Sequence, residues 1–128
     1  MNVYSIQAGN FKLDGGAMFG VVPKSLWQKT NPSDSANMIE MSSRCMLIEN
    51  GNKLILVDTG MGNKQSEKFF SHYKRSGVFE LITSINKAGF EANDITDVLL
   101  THLHFDHCGG AVVWDKSNEK YDVQFKNA

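Results

Sequence analysis

The sequence predicts an α/β domain, and three observations carry the prediction. Met38 to Glu49 alternates with a period of two, which puts Met41, Ser43, Cys45 and Leu47 on one face. That run meets Asn50-Gly51, a pair that tolerates the positive φ of a tight hairpin, and returns as Lys53-Leu54-Ile55-Leu56-Val57. The return strand is apolar on both faces and so lies inside a sheet. An amphipathic helix pattern follows over Phe79 to Ala88, with Leu81, Ile82, Ile85 and Ala88 on one side and Gly89 at the C′ position.

In chain order, Val3 to Ala8 reads as a strand, Gly9-Asn10 as a turn, and Phe11-Lys12-Leu13 as its continuation. Asp14 to Pro23 holds three glycines and a proline, which predicts irregular structure. Met18, Phe19, Val22, Leu26 and Trp27 are nevertheless large and apolar. They must either pack as a satellite core or line a pocket. Thr30 to Asn37 is a polar surface connection. After Val57 comes Asp58-Thr59-Gly60-Met61-Gly62, an acid, a hydroxyl and glycines at the end of a buried strand. Ser66 to Arg75 reads as a helix with Phe69, Phe70 and Tyr73 on its apolar side and His72 in solvent. Asp94 is a candidate cap for a short turn through Asp97. Val98 to Thr101 is the next strand. Ala111 to Trp114 is apolar, Lys116 to Lys120 a polar turn, and Tyr121 to Phe125 a last strand.

Chemistry concentrates in Thr101-His102-Leu103-His104-Phe105-Asp106-His107-Cys108-Gly109-Gly110. Three of the four histidines fall within these residues, with an aspartate between them. Imidazole and carboxylate suit zinc and similar divalent cations. In an extended segment, side chains two apart share a face, so His102 and His104 can reach one metal. Asp106 and His107 are adjacent and point elsewhere, toward a second position a few ångströms away. This is the logic of a two-metal site. Gly109 and Gly110 let backbone pass close by. Cys108 reads as a small filler beside the site, with thiolate ligation as the alternative.

Composition narrows the function classes. The 128 residues make one domain at most, spanning 1–128, and 13 basic against 14 acidic residues leave a net charge of −1. No long basic run is present, which argues against nucleic acid. No stretch of about 18 apolar residues is present, which argues against a membrane span. The N-terminus shows no signal-peptide pattern, and Cys45 and Cys108 make no disulfide framework, so a reducing cytoplasm is the expectation.

His102-x-His104-x-Asp106-His107 resembles the signature of the metallo-β-lactamase fold superfamily, and Asp58-Thr59-Gly60 resembles its second recurrent feature. The stretch Asp14-Gly15-Gly16-Ala17-Met18-Phe19-Gly20, with Pro23, Lys24 and Trp27, is similar to the branch holding N-acyl homoserine lactonases and methyl parathion hydrolase-like enzymes. The resemblance implies the N-terminal half of an αβ/βα sandwich, a mixed sheet with helices on one face. It implies a hydrolase that opens a lactone or another ester-like small-molecule bond through a metal-bound hydroxide. Two divalent metal ions are implied, zinc first, with iron or manganese open to the same ligands. His102 and His104 would hold one ion, and Asp106 and His107 the other. Asp106 would also position the attacking water and take part in proton transfer. Asp58 would orient the histidine loop, and Phe19 and Trp27 would lie near the substrate entrance. The family's remaining ligands, a third histidine for the first metal, a bridging aspartate and a further histidine, follow well after the signature. No histidine follows His107 here. The expectation is therefore a truncated first half that needs a C-terminal half, with a homodimer open to the whole protein. The competing readings are a non-catalytic half-domain with weak metal binding and an iron-dependent oxidoreductase of the same fold.

Overall fold

A computed structural model describes residues 1–77 and 80–128 of the chain. Four strands form one mixed sheet in the order β1-β2-β3-β4: β1 (Asn2–Asp14), β2 (Met38–Asn50), β3 (Lys53–Val57) and β4 (Asp97–Leu99). The first three pair antiparallel, with Asn50 opposite Lys53 at the Asn-Gly hairpin. β4 joins parallel to β3, with Leu56 opposite Val98. Parallel neighbours need a crossover. It is supplied by α3 (Glu67–Ser71), α4 (Leu81–Lys87) and a 3-10 turn over Ala92–Asp94. A separate hairpin follows, β5 (Val112–Asp115) with β6 (Lys120–Val123).

The period of two in β2 is borne out: Ile39, Ser43, Cys45 and Leu47 are buried and their neighbours are exposed or half-buried. Ile6, Ala8, Cys45, Leu47, Leu54 and Leu56 build the main core against Leu81 and Ile85 of α4, with Ile95 and Phe125. α4 thus covers one face of the sheet. A second cluster, Phe11, Met61 and Phe70 with Phe69, Tyr73 and Phe105, lies beside the histidine segment.

Several expected boundaries move. Gly9-Asn10 is not a turn. β1 runs through it with a register shift between Gln7 and Asn10, Gly9 takes φ 98°, and Asn10 exchanges both backbone hydrogen bonds with Ser76. An irregularity within a strand carries the same glycine signal as a turn. Asp14 to Pro23 is not wholly irregular. The Asp14 carboxylate accepts from Ala17 N–H at 2.7 Å and caps a short helix, α1 (Gly15–Phe19), and α2 (Lys24–Trp27) starts after Pro23. The helix expected over Ser66 to Arg75 covers only Glu67–Ser71, capped by Ser66 Oγ, and Lys74 at φ 44° has left helical geometry. His72 is exposed there, as expected. The expected start of the next helix at Phe79 lies outside the described residues; the helix itself runs over Leu81–Lys87, and Gly89 follows at φ 94°. Asp94 is the third residue of its turn and not the cap, because Glu91 takes that place in a capping box. The strand expected over Val98 to Thr101 is Asp97–Leu99, so Thr101 belongs to the loop.

Candidate metal centre

β3 and β4 are parallel neighbours, so the loops at their C-terminal ends leave the same sheet edge side by side. One loop carries Asp58 to Gly62, the other Thr101 to Gly110. Asp58 sits at φ 61°, a left-handed conformation that Asp tolerates better than most residues, and its N–H donates to Leu99 O at 2.9 Å. Its carboxylate accepts from Thr101 N–H at 2.8 Å and from the Thr101 hydroxyl at 2.9 Å. It also lies 2.8 Å from Nδ1 of His107. Burial would raise the Asp58 carboxyl, but the hydrogen bonds from His107 and Thr101 outweigh it and hold the group below the ordinary carboxylate range.

His102 and Leu103 lie in irregular structure, His104 is extended at φ −70° and ψ 147°, and a single helical turn, α5 (Phe105–Cys108), follows with His104 at its N-terminal boundary. The three imidazoles come together. The rings of His102 and His104 meet edge to face at 4.7 Å, and those of His102 and His107 are 4.0 Å apart. On its free side, His107 Nε2 lies 3.4 Å from Asp106 Oδ2. Both Asp106 and His107 line a cavity of about 140 Å³ together with Phe11, Met41, Ser43 and Asp58. An apolar hollow of about 270 Å³ runs along β4 and β6 between Val98, Leu100, Val123 and Phe125, and no titratable side chain lines it.

The two loops meet backbone to backbone. Thr59 N–H donates to His107 O at 2.7 Å, and Gly110 N–H donates to Gly60 O at 3.0 Å. A Cβ on Gly109 would stand 2.1 Å from Met61 O, and one on Gly110 would stand 2.2 Å from Thr59 O. Glycine is required at both places because a side chain would force the loops apart. The Lys64 ammonium donates to Gly109 O from a partly buried position that lowers its pKa. On the other side, Phe105 packs edge to face on Phe69 at 5.4 Å and against Tyr73 at 4.6 Å. The turn that carries Asp106 and His107 is thereby anchored to α3.

The donor set suits a divalent cation in kind. It offers imidazoles, a carboxylate, and one histidine already oriented through its far nitrogen. In number it falls short: among the described residues, no group of three or more His, Cys, Asp or Glu side chains converges as a complete cage. Asp106 and His107 converge as a pair. Cys108 is half-buried and its Sγ faces Leu103 O at 3.4 Å, within the segment. Cys45 is buried, and burial first, with the Asp58 charge second, pushes its thiol up to about 12, so it stays neutral. Of the apolar pair singled out in the N-terminal stretch, Trp27 is buried, and a Cβ on Gly15 would meet its ring at 2.5 Å. Phe19 stacks on it at 5.0 Å and is half-exposed. Neither lines the cavity beside His107. Thr101 carries more of the site than its sequence signal suggested; the available signal was a hydroxyl directly before the first histidine.

Comparison with known proteins places these features in context. A family model described as the metallo-beta-lactamase superfamily matches residues 39–120. The chain is 30% identical over 84 residues to an N-acyl homoserine lactonase of Bacillus cereus, a match covering 58% of this chain and 34% of the relative. Its fold is similar to a solved probable metal-dependent hydrolase from Staphylococcus aureus, with a TM-score of 0.88 and 35% identity over 99% of this chain and 44% of that one. It is also similar to AidC, described as a dizinc quorum-quenching lactonase in complex with a product, with a TM-score of 0.69 and 33% identity over 98% of this chain and 39% of that one. The chain therefore spans less than half the length of these relatives.

Proposed function

The chain belongs to the metallo-beta-lactamase superfamily, and from that premise we propose that it carries half of the catalytic centre of a metal-dependent hydrolase acting on a lactone or another ester-like small molecule. The observation that supports this most is the hydrogen bond from His107 Nδ1 to Asp58. A carboxylate only accepts, so Nδ1 carries a proton toward Asp58, and a cation held between Nε2 and Asp106 would take the Nε2 lone pair. That is the arrangement a metal ligand needs. In this reading His102 and His104 hold one ion and Asp106 and His107 a second, and residues beyond this chain complete both sets. The lengths of the relatives support that division. A divalent cation here supplies Lewis acidity and makes a coordinated water a stronger acid.

The chain's own residues do the remaining work. Asp106 accepts a proton from the attacking water and returns it to the leaving oxygen, so the ring-opened product is a hydroxy acid. Asp58 and Thr101 hold His107 in place. The aromatic wall of Phe69, Tyr73 and Phe105 excludes water from one side and offers an apolar surface to the substrate's non-reacting part. Phe19, half-exposed on Trp27, contributes a further apolar edge. The test is metal analysis with lactonase and arylesterase assays on the full-length gene product. One or two equivalents of metal with hydrolysis is the expected result; neither metal nor hydrolysis overturns the proposal. Elemental analysis separates zinc from iron or manganese, which these ligand types do not.

The incomplete cage favours a second reading, a half-domain that binds metal weakly and does not catalyse. Reading the DNA downstream of Ala128 decides it. An in-frame continuation with two more histidines and an aspartate removes this reading.

A further inference from the structure

Among the described residues, the buried polar side chains are two: Ser43, 7% exposed, and Thr59, 0% exposed. Both are hydroxyls, and they act on consecutive residues of the histidine segment. Ser43 Oγ, from the middle of β2, donates to Asp106 O at 3.4 Å. Thr59 Oγ1 donates to His107 O at 3.0 Å, and the same carbonyl accepts Thr59 N–H at 2.7 Å. One residue therefore occupies both lone pairs of His107 O. A buried hydroxyl must find an acceptor, and such a group specifies geometry more than it adds stability. Here the acceptors are the main-chain carbonyls of the two residues whose side chains converge. The carbonyls fix the peptide planes on either side of His107, and the peptide planes fix where the two Cα–Cβ bonds point. Ser43 and Thr59 reach the segment from different elements, so they brace the turn from two sides.

We propose that Thr59, seconded by Ser43, is a positioning residue for the metal centre: its hydroxyl sets the orientation of the Asp106–His107 turn and thereby the approach of both side chains to a divalent cation. This rests on the metal-site reading above. Thr59→Val keeps the shape and removes the hydroxyl, while Thr59→Ser keeps the hydroxyl and removes a methyl. The probe is Co(II) added to the full-length protein, read as affinity and as the visible d–d spectrum, with thermal unfolding of the metal-free protein measured alongside. The expected result is Co(II) binding weakened about tenfold or more with an altered spectrum in Thr59→Val, and wild-type binding and spectrum in Thr59→Ser. A packing role alone would lower the melting temperature of both variants and leave the Co(II) spectrum unchanged, which overturns the proposal. If Thr59→Val does not fold, Ser43→Ala gives the decision, with a severalfold loss of Co(II) affinity expected and an unchanged spectrum and affinity counting against. A wild-type protein that takes up no Co(II) overturns the metal-site reading and this proposal together; a wild type that binds, with variants that bind equally, overturns this one alone.

Discussion

Asp58 Oδ2 stands 2.8 Å from His107 Nδ1, although the two residues are 49 positions apart in the chain. The contact exists because β3 and β4 are parallel neighbours whose C-terminal loops share one edge of the sheet. It gives a rotatable ring a fixed direction, with Nδ1 on the Asp58 carboxylate.

Asp58→Asn tests that relationship. The amide keeps the shape and tolerates the left-handed backbone, but it loses the charge and can present an NH₂ to Nδ1. Metal affinity in the full-length protein should fall by about 10–100-fold, measured by competition with a chelator. An affinity within error of wild type would mean that the ring is oriented by something else.

His104→Ala should abolish hydrolysis in the intact protein and leave the fold in place, because His104 is an exposed residue at the start of α5. The check is activity alongside far-ultraviolet circular dichroism. Activity within about tenfold of wild type would show that the ligand assignment is wrong.

Gly110→Ala should be far more damaging than its size suggests. The added Cβ would lie 2.2 Å from Thr59 O, a backbone atom that cannot rotate away. A loss of about 1–3 kcal/mol or more in urea unfolding is expected, together with loss of metal binding. Unchanged stability would show that the two loops are not in contact.

Acid sensitivity should trace in part to Asp34. Its carboxylate accepts from Met38 N–H, which lowers its pKa most, and the hydrogen bonds from Lys12, Ala36 and Lys74 lower it further, against a raising effect of burial. The folded-state value lies below the unfolded one. The stabilisation is thus complete above the ordinary carboxylate range and is lost as pH falls through and below it. Urea midpoints measured from about pH 5 down to about pH 2.5 should fall more steeply for wild type than for Asp34→Asn. Parallel curves would refute the assignment.

Much of this was legible in the sequence, for definite reasons. Alternation in β2, the Asn-Gly hairpin and the doubly apolar β3 are local patterns with few alternatives, and the structure keeps all three. The histidine segment was legible because its donors are contiguous. What the sequence concealed was non-local. Gly9 serves a register shift in a long strand because Asn10 pairs with Ser76, a partner 66 residues on. Asp14 starts a helix across a glycine pair, against propensity, because its carboxylate finds Ala17 N–H. Ser43 looked like any inward-facing strand residue until Asp106 O was seen above it. Thr59 was visible as a hydroxyl at a strand end, but its partner was not.

The donors and the groups that orient them are encoded very differently. His102, His104, Asp106 and His107 lie within six consecutive residues, whereas Asp58, Thr59 and Ser43 are more than forty positions upstream. A denatured chain therefore keeps the whole local donor set and loses Asp58, Thr59 and Ser43 as orienting partners. On the proposed metal-site reading, cations should bind that unfolded peptide too, less tightly than the native protein. Added metal should accordingly raise thermal stability by less than its native affinity alone would give, because mass action pulls on both sides of the folding equilibrium. Metal present during refolding will be captured early, before the sheet edge that shapes the site has formed.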